Sequence, residues 1–483
     1  MTQQSSDQDI VEGSLPAGQR PEPGRRPPRE VWLGDDSHDE QRAAVESGLW
    51  TSQTPVITAP ARTASTPRQG AVTRNLTSAD GRRTKRRIMG VDVARGFALI
   101  GMVAVHVLPS SIDAEGTPSL EWTLFAGHSA ALFAVLAGVS LAFMTGGRNP
   151  RQGREGSRAR VSILVRALTL FAIGLTLNGL DLPVFNILIY YGLMFLVAIP
   201  FTRLSVKWLL VSSAFFAVIM PFIMLWSMSF LPSQTYGNPG WINLFTDPGA
   251  VLAELFLTGT FPALPWMTFI CLGMALGRMP LSRDRVQVLL VIVGVVLTAV
   301  AKGVSTLVLV RFDLEGALVA ATPWLSPEDI WTVQIYGPTP QLPNTTNLWL
   351  LLSGPHTNTP FALFESAGLA MVALGAFLLL SRVIGKWLGW LGAMGSMTLT
   401  LYVSHLIFLS FVDTEGTPWF WYLVQIVVAG LFAVAWQQAV GSGPLERLVT
   451  RISKSAATSV IKPEQSELRR RGESRHRAEP LRR

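Results

Sequence analysis

The chain predicts an all-α, polytopic membrane fold with about ten transmembrane helices and both termini in the cytoplasm. Three observations carry this expectation. Of 483 residues, 49% are hydrophobic and only 15% charged, against about a quarter charged in a soluble domain. Mean hydropathy is +0.35, and the charge-free stretches behind it are long enough to cross a bilayer. The charges that remain alternate from linker to linker, basic then acidic or neutral, which is the positive-inside pattern.

Residues 1–86 are rich in Pro, Arg, Ser, Thr, Asp and Glu and have no apolar periodicity. Such a segment cannot bury enough surface to offset its ordering entropy and is expected to be a disordered cytoplasmic region. It opens MTQQSSDQDI, without an apolar core, so the first membrane helix is expected to serve as its own insertion signal. Residues 87–444 form the transmembrane domain, with spans at roughly 89–109, 122–145, 160–178, 184–202, 207–230, 251–277, 286–311, 360–381, 387–412 and 417–440. Residues 445–483 are a basic cytoplasmic tail, expected to be unstructured apart from first turns lying on the membrane surface.

One set of linkers carries Arg82–Arg87, the stretch 148–160, Arg203 with Lys207, 278–285, Arg382 with Lys386 and the tail after Arg447. The other carries Asp113, Glu115 and Glu121, then Asp181, Asp247, the 312–359 loop, and Asp413 with Glu415. Two of the outer loops, 231–250 and 312–359, hold Trp, Pro, Asn and Thr with almost no Lys or Arg. Loops of this length either cap a site or form a partly ordered cover. The net charge of +8 is confined to loops and tails, which argues against a nucleic-acid partner. A single cysteine, Cys271, excludes an intramolecular disulfide.

Ionisable groups inside apolar spans are costly and face a cavity or one another. In the first span Asp92 and Arg95 are one helical turn apart and can pair. His106 lies eleven residues after Arg95, returning to nearly the same face roughly 16 Å along the axis. The bland alternative is an interfacial ion pair plus a histidine at the outer boundary. The second span carries His128, with small residues Ala130, Ala134, Gly138 and Ala142 every four positions for close helix packing. Glu365 with Ser366 lies in the eighth span, Tyr402 and His405 in the ninth. The topology sets His106, His128, Glu365 and His405 at one depth, as around a shared cavity over which His356 closes. Toward the cytoplasm, Arg95, Arg166 and Arg278 suit either a polyanionic ligand or snorkelling to lipid phosphates. No phosphate-loop, dinucleotide or His-Glu-x-x-His motif occurs, and no His pair has metal-ligand spacing, so no metal is expected.

The stretches RIMGVDVARGFALIGMVAVH and GHSAALFAVLAGVSLAFMTGG, supported by NILIYYGLMFLVAIPF, PHTNTPFALFESAGLA and GSMTLTLYVSHLIF, resemble membrane acyltransferases related to heparan-α-glucosaminide N-acetyltransferase. The Asp-x-x-Arg-Gly signature followed by His106 also resembles the broader integral-membrane O-acyltransferases, whose first-helix histidine is catalytic. In the heparan-type enzymes the position matching His106 looks like Asn, with the active-site His in the segment after it. Here residues 109–121 contain no His, so the resemblance leaves His106 and His128 as the catalytic candidates, with His106 preferred. It implies transfer of an acyl group, in the first instance acetyl, from cytoplasmic acetyl-CoA to a hydroxyl or amine of an envelope glycan or glycolipid. Asp92, Arg95, Arg166 and Arg278 then hold the donor, and Glu365, Tyr402, His405 and His356 orient the acceptor or stabilise the oxyanion. An imidazole with an ordinary pKa of about 6.5 suits a general base or a transient acyl carrier. The expected setting is a bacterial plasma membrane, with lipids as partners and the oligomeric state open, a homodimer included. The rival reading is a transporter or flippase, which needs internal repeats or helices broken at mid-membrane; Pro262 and Pro265 in the sixth span are where such a break would fall. A catalytically dead scaffold is a third.

Overall fold

The computed structural model describes residues 88–113, 116–232 and 236–462. The expected disordered segment 1–86, the basic run Arg82–Arg87, Glu115 and the tail beyond residue 462 lie outside the described residues.

The elements follow in order as α1 (Met89–Val107), α2 (Leu120–Phe125), α3 (His128–Met144), α4 (Gly153–Leu177), α5 (Leu188–Ala198), α6 (Val206–Ser227), α7 (Trp241–Thr246), α8 (Pro248–Ala253) and α9 (Ala263–Arg278). Then come α10 (Asp284–Arg311), α11 (Leu314–Ala321), α12 (Pro327–Tyr336), α13 (Pro360–Val383), α14 (Gly389–Gly395), α15 (Thr398–Phe411), α16 (Pro418–Ala439) and α17 (Pro444–Val460). Helix starts carry their expected chemistry. Thr359 accepts from the Ala362 N–H, Ser119 from the Trp122 N–H, and Pro opens α13, α16 and α17.

The protein is a multi-pass membrane protein. Among the described residues, seven helices are long and apolar enough to cross a membrane, or nine if two bent pairs each count as one span. The expected fourth span, 184–202, is the exception: α5 has eleven residues, about 17 Å of helix at 1.5 Å per residue. The chain before it runs without helix from 179 to 187, and Pro200 starts a separate 3₁₀ turn. The sixth span bends by 47° between Pro248–Thr258 and Ala263–Arg278, where Pro262 caps α9; the ninth bends by 78° between α14 and α15. The second span is interrupted at Gly127, whose φ of 71° is open to glycine at no steric cost.

α1 is the hub. Its most apolar window is 72% buried, against 11% for α16 and 22% for α10, which turn their valine and leucine faces outward. Close backbone approach holds α3 against α9 through the expected small-residue stripe. A Cβ at Gly138 would sit 2.3 Å from the Ile270 carbonyl, and one at Gly273 only 1.9 Å from that of Val135.

The 312–359 loop is a folded cap rather than a simple connection. It contains α11, α12 and a 3₁₀ turn, Asn347–Leu351, gathered around the fully buried Trp349, whose indole donates to Thr322 and Thr345. The basic tail also differs from expectation, because its first part is the ordered helix α17. Val449, Ser453 and Ala457 are buried there at helical spacing. Glu446 accepts from the Leu399 N–H (2.7 Å), the Thr400 N–H (3.2 Å) and the Thr400 hydroxyl (2.6 Å), tying α17 to the start of α15. The three to four-residue apolar spacing that makes this helix amphipathic is diluted by Arg, Lys and Ser, which is why composition alone suggests unstructured chain.

Candidate active site

Two cavities flank the middle of α1. One, of about 390 Å³, lies at the end of α1 that carries Arg95 and is lined by Arg95, Arg166, Ser140, Tyr402 and Glu446 among others. The other, of about 310 Å³, lies beneath the cap and is walled by His106, Trp122, Phe261, Tyr336 and His356. Between them is a void of about 40 Å³. It shares Met102, Ile187 and Tyr402 with the first cavity, and Val105, His106, Phe261 and His356 with the second. A file of shared walls thus runs along the α1 face that carries Arg95 and His106. A third space, of about 690 Å³, reaches His106 from the opposite side of the Pro183–Val184 strap and has Asp413 and Glu415 in its rim.

His106 is the side chain common to the capped cavity, the connecting void and the acidic space. Its Nδ1 is 3.0 Å from His405 Nε2, with the two rings nearly parallel at 8°. His405 Nδ1 is in turn 2.6 Å from Gln425 Oε1 on α16. With that amide oxygen as the acceptor, His405 carries its proton on Nδ1 and accepts from His106 Nδ1–H at Nε2. His106 Nε2 then keeps its lone pair.

His128 is directed elsewhere: its Nδ1 meets the Ser366 hydroxyl of α13 at 3.0 Å. Glu365 does not join the His106 cluster either. Its carboxylate lies 3.6 Å from Lys302 Nζ on α10, an ion pair across two helices. The four groups expected at one depth therefore divide into His106 with His405, and His128 with Ser366 beside Glu365 and Lys302.

His356 stands in the loop leading into α13, in a left-handed conformation with φ 56°, as does Asn358 two residues on. Non-glycine residues hold such φ values only when their surroundings impose them. Here the Trp266 indole donates to Asn358 Oδ1 at 2.7 Å, and the Asn358 amide donates to the His356 carbonyl at 2.9 Å. The His356 ring packs edge-on to Phe261, with Nδ1 buried and unpartnered among the described residues. Burial brings its imidazole down to about 4, against the opposing pull of a backbone hydrogen bond at Thr260, so it is neutral near pH 7.

Asp92 and Arg95 form the expected pair at 2.9 Å, and Arg95 also reaches the Ser140 hydroxyl of α3. Arg95 and Arg166 both line the inner cavity, a donor set that matches phosphate oxygens. Arg278 is not brought there. It is buried and donates to the carbonyls of Thr202 (2.7 Å) and Gly147 (3.5 Å), bracing two linkers. Tyr402 borders both the inner cavity and the void, and its hydroxyl accepts weakly from the Ile187 N–H at 3.4 Å.

Sequence reasoning missed Gln425, Lys302, Glu446 and Ser140. Gln425 and Lys302 had a signal, as isolated polar side chains inside the apolar runs of α16 and α10. Ser140 and Glu446 had none, since a serine in a helix and a glutamate in a charged tail are ordinary.

Residues 87–309 match the family model described as heparan-alpha-glucosaminide N-acetyltransferase, catalytic. The chain is related to that family. The match takes in α1 to the last turns of α10, and so Arg95, His106, His128, Arg166 and Arg278, and ends before His356, Glu365, Tyr402 and His405. No curated protein matches the chain.

Proposed function

From this kinship we propose a membrane-embedded acyltransferase that passes an acetyl group from cytoplasmic acetyl-CoA to a hydroxyl or amine of an envelope glycan or glycolipid. The observation that carries the reading is the place of His106: it stands where the file of cavities from the arginine-lined end meets the space beneath the cap. Alternating linker charge supports ten passes and both termini in the cytoplasm, with the arginine-lined cavity toward the cytoplasm, and the short basic inner loops suit a bacterial plasma membrane. The two bent pairs account for two of the passes that fall short of a straight helix.

Acetyl-CoA supplies the activated acyl group as a thioester. Arg95 and Arg166 hold its phosphates, and the face of α1 between Arg95 and His106 guides the extended arm. His106 Nε2 takes the proton from the acceptor as its oxygen or nitrogen bonds to the acyl carbon. The C–S bond breaks, and the proton passes to the departing thiolate. Transient acylation of Nε2 is the two-step version of the same chemistry. Tyr402 lies along the path, where its O–H donates to the oxyanion. His405 and Gln425 orient His106 from behind. His128, engaged by Ser366, is the second candidate.

The test is consumption and transfer of radiolabelled acetyl-CoA by purified protein in liposomes with envelope extract, comparing wild type, His106→Ala and His128→Ala. Loss of activity in His106→Ala alone supports the reading, and loss in His128→Ala alone moves the chemistry to that residue. A wild type that neither binds nor consumes acetyl-CoA favours a transporter, the reading to which the 47° and 78° breaks lend weight.

A further inference from the structure

We propose that the cavity beneath the cap is the acceptor site and that it admits an uncharged sugar unit, acylated on a hydroxyl; this rests on the acyltransferase reading. The cavity's about 310 Å³ is near the lower end of small-molecule sites, about 300–1,000 Å³. It suits one or two rings rather than a length of polymer.

Its wall is of two kinds. Trp122, Phe185, Phe261 and Tyr336 contribute aromatic rings, while Thr260 and Gln341 contribute hydroxyl and amide groups. A pyranose has the same division, with C–H faces that stack on rings and hydroxyl edges that need donors and acceptors. Among the described lining residues there is no Asp, Glu, Lys or Arg. A sulfate, carboxylate or ammonium on the acceptor would therefore lose its hydration without an opposite charge in return. A neutral sugar incurs no such penalty.

His356 also lines this cavity. Its buried Nδ1 has no partner among the described residues, and the Trp266–Asn358 clamp fixes the backbone that presents the ring to this cavity. Across the Pro183–Val184 strap, the other space open to His106 has Asp413 and Glu415 in its rim and would suit a cation. The same histidine thus faces one neutral and one acidic space, and the choice between them sets the product. In the neutral space the sugar O–H proton goes to His106 Nε2, the O–acetyl bond forms as C–S breaks, and the proton leaves with the thiol. The product is an ester.

The experiment gives wild-type proteoliposomes radiolabelled acetyl-CoA and envelope extract, with methyl glucopyranoside, methyl glucosaminide or methyl glucuronide as competitors. The product is then treated with mild alkali. Alkali-labile label and competition by the neutral glycoside at about tenfold lower concentration than by either charged one are expected. Gln341→Glu is expected to bring the ammonium-bearing glycoside level with the neutral one. Alkali-stable label, stronger competition by a charged glycoside, or competition by none of the three overturns the proposal. Failure of the underlying acyltransferase reading is distinct, because acetyl-CoA is then not consumed in any arm.

Discussion

His106 and His405, 299 residues apart in the chain, meet nitrogen to nitrogen at 3.0 Å. The contact joins the central helix to the second half of a broken span, and Gln425 anchors its far side at 2.6 Å. A histidine held by a second neutral ring and an amide keeps one ring orientation without a neighbouring carboxylate.

Removal of either partner should therefore act on turnover rather than on donor binding. His106→Ala is expected to abolish transfer. His405→Ala should lower kcat by about 10²–10³-fold, within the range of lost acid–base catalysis, and Gln425→Leu by about tenfold. The acetyl-CoA KM should stay near wild type in both. A raised KM with unchanged kcat in His405→Ala would assign that ring to packing of the donor path instead.

The arginines separate by the same kinetic split. Arg95→Gln and Arg166→Gln remove charged donors from the inner cavity and should raise the acetyl-CoA KM by about 10–100-fold, the equivalent of a charged hydrogen bond. Arg278→Gln should leave that KM alone and lower stability in detergent by about 1–3 kcal/mol, because the Thr202 and Gly147 carbonyls lose their donor. Thermal unfolding and initial rates on the same preparations decide between the two roles.

His356 gives a pH signature. Its imidazole, near 4 when folded, returns to about 6.5 on unfolding. Between these values the unfolded chain binds more protons, so stability rises with pH across this window and falls as pH drops from about 6.5 toward 4. The contribution is about 3 kcal/mol across the window. His356→Asn should flatten that part of a plot of Tm against pH, and a slope equal to wild type would count against a buried neutral His356.

Glu446 ties α17 to the start of α15 through two backbone N–H groups and one hydroxyl. Glu446→Ala is expected to cost about 1–3 kcal/mol and to open the chain near Gly443 to protease. Limited proteolysis with mass analysis of the fragments reads this directly. An unaltered cleavage pattern would mean that the packing of Val449 and Ala457 suffices to hold the helix.

The sequence by itself determined that this chain is a multi-pass helical membrane protein, since uninterrupted apolar runs leave the backbone no other way to satisfy its hydrogen bonds in lipid. It also determined the Asp92–Arg95 pair and the Ala130–Ala142 packing stripe, because both depend only on helical periodicity within one element. Family kinship was legible in the first two spans. Only the tertiary structure decided which polar groups meet. His405 reaches His106 from the second half of the ninth span, which is bent by 78°, while His128 and Glu365, expected at similar depth, turn to Ser366 and Lys302. Depth follows from position along a helix, but azimuth follows from how helices rotate and bend against each other. The same reason separates Arg278 from Arg95 and Arg166, and makes an ordered helix of a tail whose composition alone suggested none: its partners lie on other elements.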